Sequence, residues 1–262
     1  MELGGRGVQE AGDRLRTWVE SPEDPEALLD GVRRRWEALL GEAADVEGEW
    51  QAQEDWEHLW RQGLGVRRIT PRLVVAPSWD VPETGPDDLL IILDPGMAFG
   101  TAEHATTRGC LRLLDRRVTA GDRVVDVGAG SAILSMAAAL LGAREVLALE
   151  MDGLACEAAR QNLEANGLDR TVTLRRREVR GEEPLQGRPW HGIVANLQRL
   201  LLLPLLPAFA RSLAPGGWLI LSGILVRERE EMVSACRRTG FFPTDEDREE
   251  EWWTGAFRLS GD

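Results

Sequence analysis

The sequence predicts an α/β fold built on a mostly parallel sheet with helices on both faces. Three observations carry that expectation. From about residue 89 onward, short apolar runs alternate with amphipathic helical stretches, the pattern of repeated strand–helix–strand units. The segment Arg123-Val-Val-Asp-Val-Gly-Ala-Gly-Ser-Ala-Ile-Leu134 reads as strand, glycine turn and helix start, a layout that brings backbone close to a nucleotide-like ligand. Glu150 closes the next strand about twenty residues after the turn, where an acid can accept from ribose hydroxyls.

Taken in order, Leu28, Leu29, Val32, Trp36, Leu39 and Leu40 recur at helical spacing and predict a helix over 25–40. Trp56, Leu59 and Trp60 share one face of a second helix expected over 55–64. Trp18, Trp36, Trp50, Trp56, Trp60 and Trp79 crowd the first third and read as the core of a small domain, ahead of a partner-anchoring surface. No alternating strands are read in residues 1–54. A strand is read over 69–76, and Asp80-Val-Pro-Glu-Thr-Gly-Pro-Asp-Asp88 reads as a turn or linker. Residues 1–65 are therefore expected to form a small, mainly helical domain, 66–88 a linker, and 89–262 the ligand-binding domain. In the last, strands are expected at 124–127, 146–149, 172–175, 192–195, 218–222 and near 252–259. Helices are expected at 104–117, 131–141, 154–166, 200–213 and 227–239, the fourth made irregular by Pro204 and Pro207. The acidic run at 245–251 reads as a hairpin-like stretch.

Composition narrows the class. The net charge of −13 argues against a general nucleic-acid binder and suits a basic protein partner. The runs Arg33–Arg35 and Arg175–Arg177 read as solvated faces. Cys110, Cys156 and Cys236 have no paired spacing, so neither a disulfide framework nor a zinc site is suggested, and the cytoplasm is the expected compartment. No apolar run approaches the length of a membrane span, and the N-terminus lacks the layout of a secretory signal.

Two stretches hold the candidate chemistry. Leu93-Asp-Pro-Gly-Met-Ala-Phe-Gly-Thr-Ala-Glu-His-Ala-Thr-Thr107 is a loop rich in Gly and Thr, placed to close over the ligand of the glycine turn. In that turn Gly128 and Gly130 allow a sharp bend, while Ile133 stands where a nicotinamide-dinucleotide site would want a third glycine. Asp152 reads either as a partner of Glu150 or as a helix cap.

The string Asp94-Pro-Gly-Met-Ala-Phe-Gly-Thr101, with His104, Thr106-Thr107, Asp126-Val-Gly-Ala-Gly-Ser-Ala-Ile-Leu134, Val194-Ala-Asn196-Leu and Leu221-Ser-Gly-Ile-Leu225, resembles the ribosomal protein L11 methyltransferase family. The resemblance runs from about residue 55 to the C-terminus. It implies a class I methyltransferase, with a Rossmann-like seven-stranded sheet whose last strand is reversed, a small N-terminal recruitment domain, and S-adenosylmethionine as cofactor. It also implies that Thr107, Gly128, Gly130, Glu150 and Asn196 contact the cofactor, and that Phe99, Gly100 and Thr101 lie over its methionine end. Asn196 would in addition be the catalytic residue that holds the accepting nitrogen. The implied substrate is a basic protein, ribosomal protein L11, methylated on lysine or terminal amines by a monomeric enzyme that makes no direct contact with nucleic acid or membrane. A class I methyltransferase with another protein or small-molecule substrate, and a non-catalytic cofactor-binding protein, are the alternatives.

The chain departs from the family pattern at several positions. Ala102-Glu103 stands in a loop usually written Gly-Thr-Gly-Thr-His, Ala132 replaces the third glycine of the turn, Glu150 replaces Asp, and His191 replaces an Asp. Ala132 is expected to add only a methyl group. Ala102 is expected to be the costly change if that position needs positive φ, and Glu103 to set a negative charge beside the ligand loop. The chemistry needs a neutral amine aligned on a sulfonium methyl, with no strong general base. His104 reads equally as a site residue or a helix cap, and Asn196 has capping of the helix from Leu200 as its structural alternative.

Overall fold

The computed structural model describes residues 6–11, 14–18, 24–41, 45–48, 65–94, 100–181, 183–187 and 189–261. The helix expected over 55–64 and the candidate Phe99 lie outside the described residues. The chain divides into two compact units, Met1–Trp56 and Glu57–Asp262.

In the first unit an antiparallel hairpin, β1 (Arg6–Ala11) and β2 (Arg14–Trp18), precedes α1 (Pro25–Leu40). The hairpin corrects the reading that residues 1–54 hold no strands; its short polar strands give no apolar alternation to detect. The helix matches its expected bounds because both ends are written locally. Asp24 Oδ1 accepts from the Ala27 amide at 3.0 Å, Pro25 opens the first turn, and Gly41 closes the last at φ +73°. Trp36 is exposed, as is Trp79 in the second unit, so these two tryptophans do not serve as core.

The second unit opens with a three-stranded sheet, β3 (Arg67–Arg68), β4 (Leu73–Ala76) and β5 (Leu89–Ile92). Residues 66–88 are thus more than a connector, since Leu73 and Val75 lie in the same buried cluster as the helices that follow. The chain then runs α2 (Ala105–Arg117), β6 (Arg123–Val127), α3 (Ile133–Leu140), β7 (Glu145–Glu150), α4 (Gly153–Ala165), β8 (Val172–Arg176) and β9 (Trp190–Asn196). It continues through α5 (Arg199–Leu202), a 3-10 turn, α6 (Leu206–Ser212), β10 (Leu213–Leu225), α7 (Arg229–Arg238), β11 (Phe241–Glu249) and β12 (Trp252–Leu259). The single helix expected over 200–213 is broken where Pro204 and Pro207 remove backbone donors.

The main sheet has the order β11-β12-β10-β9-β6-β7-β8. Strands β10, β9, β6, β7 and β8 pair in parallel, and only β12 runs against its neighbours β10 and β11. This is the seven-stranded sheet with a reversed last strand. One face buries Leu111, Leu114, Ile133, Met136 and Ala159 from α2–α4, and the other buries Leu202, Phe209, Met232 and Trp253. Sequence order reverses between β6 and β9, and in open α/β sheets ligands bind at the carboxyl ends of the strands beside such a reversal.

An arginine ladder fastens α2 to the far edge strands. Arg108 pairs with Glu249, Arg112 with Asp247 and Glu249, and Arg116 with Asp245, all from β11. The arginines recur every fourth residue along the helix and the acids every second residue along the strand, so both sets face each other.

Candidate functional site

After β6 the chain turns at Gly128, which has φ +76°. The positive φ favours glycine there, and a Cβ would press on Leu197 Cδ2 at 2.6 Å. The Gly128 and Ala129 amides donate to the Leu149 carbonyl at 2.9 and 3.0 Å, and the Gly130 amide donates to Glu150 Oε2 at 2.9 Å. Glu150 Oε1 also accepts from the Met151 and Asp152 amides at 2.8 and 2.9 Å. Three of about four acceptor positions on this carboxylate are thus taken by backbone, which leaves capacity for one further donor without rearrangement. Asp152 caps α4 through the Leu154 amide and takes no hydrogen bond with Glu150's side chain beyond that of its own amide.

The loop before α2 is fastened to this turn. Ser131 Oγ donates to the Gly100 carbonyl at 2.6 Å, and Gly100, at φ +106°, has no room for a Cβ beside Ser131. Thr101 is half-buried, and its carbonyl accepts from the His104 amide. Ala102 is buried without positive φ, whereas Ala132 takes φ +67° in the turn. The two expectations are therefore reversed: the strained alanine is Ala132. Glu103 is bonded to the Arg67 guanidinium of β3, so its charge is paired.

Thr107 sits fully buried in the first turn of α2, and its Oγ1 makes no hydrogen bond among the described residues. Such a hydroxyl fits a partner from outside the chain. Beside it, Thr106 Oγ1 lies 3.0 Å from His104 Nδ1 and accepts from Asn196 Nδ2 at 3.3 Å. Asn196, at the end of β9, therefore does not cap the following helix, whose N-cap is Gln198. His104 holds the N-cap position of α2 but makes no capping bond; its ring contacts the Thr106 hydroxyl and the edge of Trp252.

Asp126, in the strand beneath the turn, is fully buried. Ser135 Oγ donates to its Oδ2 at 2.7 Å, while Oδ1 has no hydrogen-bond partner among the described residues. Burial pushes its pKa up to about 7, opposed by the Ser135 hydrogen bonds and reinforced by the charge of Glu150. The structure thus joins Gly100, Gly128, Gly130 and Glu150 through one hydrogen-bonded turn, and joins Asn196 to the residue before Thr107. Asp126, Ser131 and Thr106 stand in the strings that carry the resemblance but have no role assigned from sequence, and Arg108 has no sequence signal at all. The three features that fit an S-adenosylmethionine ligand are the glycine cradle, the acid at the end of β7 and the unpaired Thr107 hydroxyl.

Comparison with known proteins agrees with the fold. The model of the family described as ribosomal protein L11 methyltransferase matches residues 15–259. The ribosomal protein L11 methyltransferase of Symbiobacterium thermophilum is 39% identical over 260 residues, covering 96% of this chain and 79% of the relative. That of Gloeobacter violaceus is 40% identical over 244 residues, covering 92% and 75%. Among solved structures, the ribosomal protein L11 methylase of Lactobacillus delbrueckii subsp. bulgaricus superimposes with a TM-score of 0.66 at 30% identity, over 75% of this chain and 99% of its own. The precorrin-6y C5,15-methyltransferase of Geobacter metallireducens, at 17% identity and a TM-score of 0.50, shares the fold. With the family model matching residues 15–259 and relatives of 39% and 40% identity covered over three quarters of their length or more, this chain belongs to the ribosomal protein L11 methyltransferase family.

Proposed function

We propose that the chain transfers methyl groups from S-adenosylmethionine to lysine and terminal amines of ribosomal protein L11, as a monomer in the cytoplasm and without direct contact with nucleic acid. The observation that carries the reading is Asn196 at the carboxyl end of β9, its amide nitrogen turned to Thr106 on the helix that presents the buried, unpaired Thr107. Bound S-adenosylmethionine supplies an electrophilic methyl group on a sulfonium centre. Gly128 turns the backbone at the carboxyl end of β6, Glu150 offers its remaining acceptor to a ribose hydroxyl, and Gly100 and Thr101 border the same turn. Asn196 Oδ1 accepts a hydrogen bond from the neutral amine and holds its lone pair on line. A weakly polar surround lowers the amine's pKa, so the proton leaves to water before transfer. The acidic balance of the chain favours approach of a basic protein, and the unit Met1–Trp56 is assigned its recruitment.

Incubating the purified chain with ribosomal protein L11 and S-adenosylmethionine should add methyl-group mass increments to lysine-containing peptides or the N-terminus. Deleting residues 1–56 should abolish that transfer while cofactor binding persists. Cofactor binding with no mass gain on L11 would refute the substrate. Failure to bind the cofactor at all would refute the site.

A further inference from the structure

We infer that Thr106 is a positioning residue for methyl transfer, acting through Asn196 by deciding which end of the Asn196 amide faces the accepting amine. The inference rests on the proposed role of Asn196. An asparagine side chain is nearly symmetric in shape but not in chemistry: its oxygen only accepts and its NH₂ only donates. Turned one way, Asn196 offers the incoming amine an acceptor. Turned the other, it offers a donor and no alignment.

Thr106 is almost completely buried, and its Oγ1 is shared by Asn196 Nδ2 at 3.3 Å and His104 Nδ1 at 3.0 Å. A hydroxyl has a single proton to give. Asn196 Nδ2 donates to this oxygen, so the Thr106 proton points away from Asn196, and the His104 tautomer with no hydrogen on Nδ1 is the one that can take it. With Nδ2 on Thr106, Oδ1 is left for the substrate. The oxygen is itself held firmly. The Thr106 carbonyl accepts from Ser222 Oγ at 3.2 Å, and Ser222 Oγ lies 2.7 Å from Thr254 Oγ1, so β10 and β12 brace the turn that carries the hydroxyl. His104 is backed by the edge of Trp252, with ring centroids 5.4 Å apart. In the His104 tautomer whose Nδ1 accepts, the three side chains form a directed chain from Asn196 through Thr106 to His104.

Thr106→Val, which keeps the shape and removes the hydroxyl, should lower kcat by about ten- to a hundredfold, the range expected when a reacting group is misaligned. The Kd for S-adenosylmethionine should change little, since a residue acting through Asn196 moves transfer more than binding. Thr106→Ser should restore most of kcat, because it restores the hydroxyl alone. His104→Phe keeps a ring against Trp252 but offers no acceptor, so it should lower kcat in the same direction. A double-mutant cycle separates the possibilities. If Thr106 acts through Asn196, Thr106→Val has no further effect on an Asn196→Ala background. Additive losses would overturn the inference and leave the role of Asn196 standing. So would normal turnover in Thr106→Val, or failure of Thr106→Ser to rescue. Full activity in His104→Phe would overturn the directed chain. Wild-type turnover in Asn196→Ala would overturn the Asn196 reading, and the inference with it.

Discussion

Arg108 of α2 and Glu249 of β11 are joined by a hydrogen bond of 2.9 Å from Nε to Oε1, and the same guanidinium reaches back to the ligand loop. Its Nη1 donates to the carbonyls of Ala102 and Glu103 at 3.0 and 2.5 Å. One side chain therefore ties the loop that borders the glycine turn to the outermost strand of the sheet. The Arg108 pairing holds the Glu249 carboxyl below its usual range, against burial and with help from Arg112.

Arg108→Ala should cost about 1–3 kcal/mol of stability by leaving partly buried acceptors unpaired. It should also weaken S-adenosylmethionine binding by roughly tenfold, about 1.4 kcal/mol, because the loop loses its tether. The carboxyl is depressed in the folded state, so its contribution is present above the unfolded pKa of about 4.3 and is lost as pH falls through the folded value. Denaturant unfolding from neutral to acid pH should show the wild-type advantage shrinking below about pH 4. An advantage independent of pH would remove the ion pair from the account.

Ala132→Gly should leave stability unchanged or raise it by up to about 1 kcal/mol. A left-handed alanine costs roughly 1–2 kcal/mol, partly offset by the extra unfolded-state entropy of glycine. Urea titration of the two proteins decides it. A loss of stability would mean that the buried methyl contributes more through packing than the backbone loses through strain.

Asp126→Asn should change how stability depends on pH. A carboxyl raised in the folded state imposes no cost below its unfolded pKa of about 4. The cost grows as pH rises toward about 7 and is constant above that. An amide that cannot ionise removes this dependence, so the mutant should gain on wild type between about pH 4 and 7. Melting curves across that range giving parallel profiles would show that Asp126 does not titrate there.

Glu150→Ala should damage both the turn and the ligand. It removes a carboxylate that accepts three backbone amides, including that of Gly130. A loss of cofactor affinity on the order of tenfold or more is expected, since a charge-assisted hydrogen bond is worth roughly 1.5–3 kcal/mol. Calorimetry showing unchanged affinity in a folded mutant would withdraw the ribose assignment.

Much of this was legible where signals are local. Helix α1 announces itself through Asp24, Pro25 and Gly41, and strand β12 was read at its observed bounds from Trp252 to Leu259. The glycine turn and its acid were readable because ligand-binding turns are written in consecutive residues. The hairpin β1–β2 was missed because its strands are short and polar, and β5 because Leu89–Ile92 is too brief to separate from the loop around it. The sign of φ was not readable either: nothing in two alanines distinguishes Ala102 from Ala132, and only the folded turn assigns the positive value to the second. The Thr106–Asn196 bond and the ladder from α2 to β11 join residues 90 to 141 positions apart, which no window along the chain connects.

The arginine ladder behaves as a vernier scale. Four residues of helix advance about 6.0 Å while two residues of strand advance about 6.8 Å, so the two rulers cannot stay aligned along their whole length. They coincide at the end near the ligand loop, where the Arg108–Glu249 and Arg112–Asp247 contacts are both 2.5 Å, and have drifted to 3.3 Å at Arg116–Asp245. The mismatch between helix and strand is thereby discharged at the end of α2 remote from Thr106 and Thr107. An insertion within α2 would turn its later rungs off the strand by about a quarter-turn or more, so length variation should be confined to residues 118–122, where the helix has already let go.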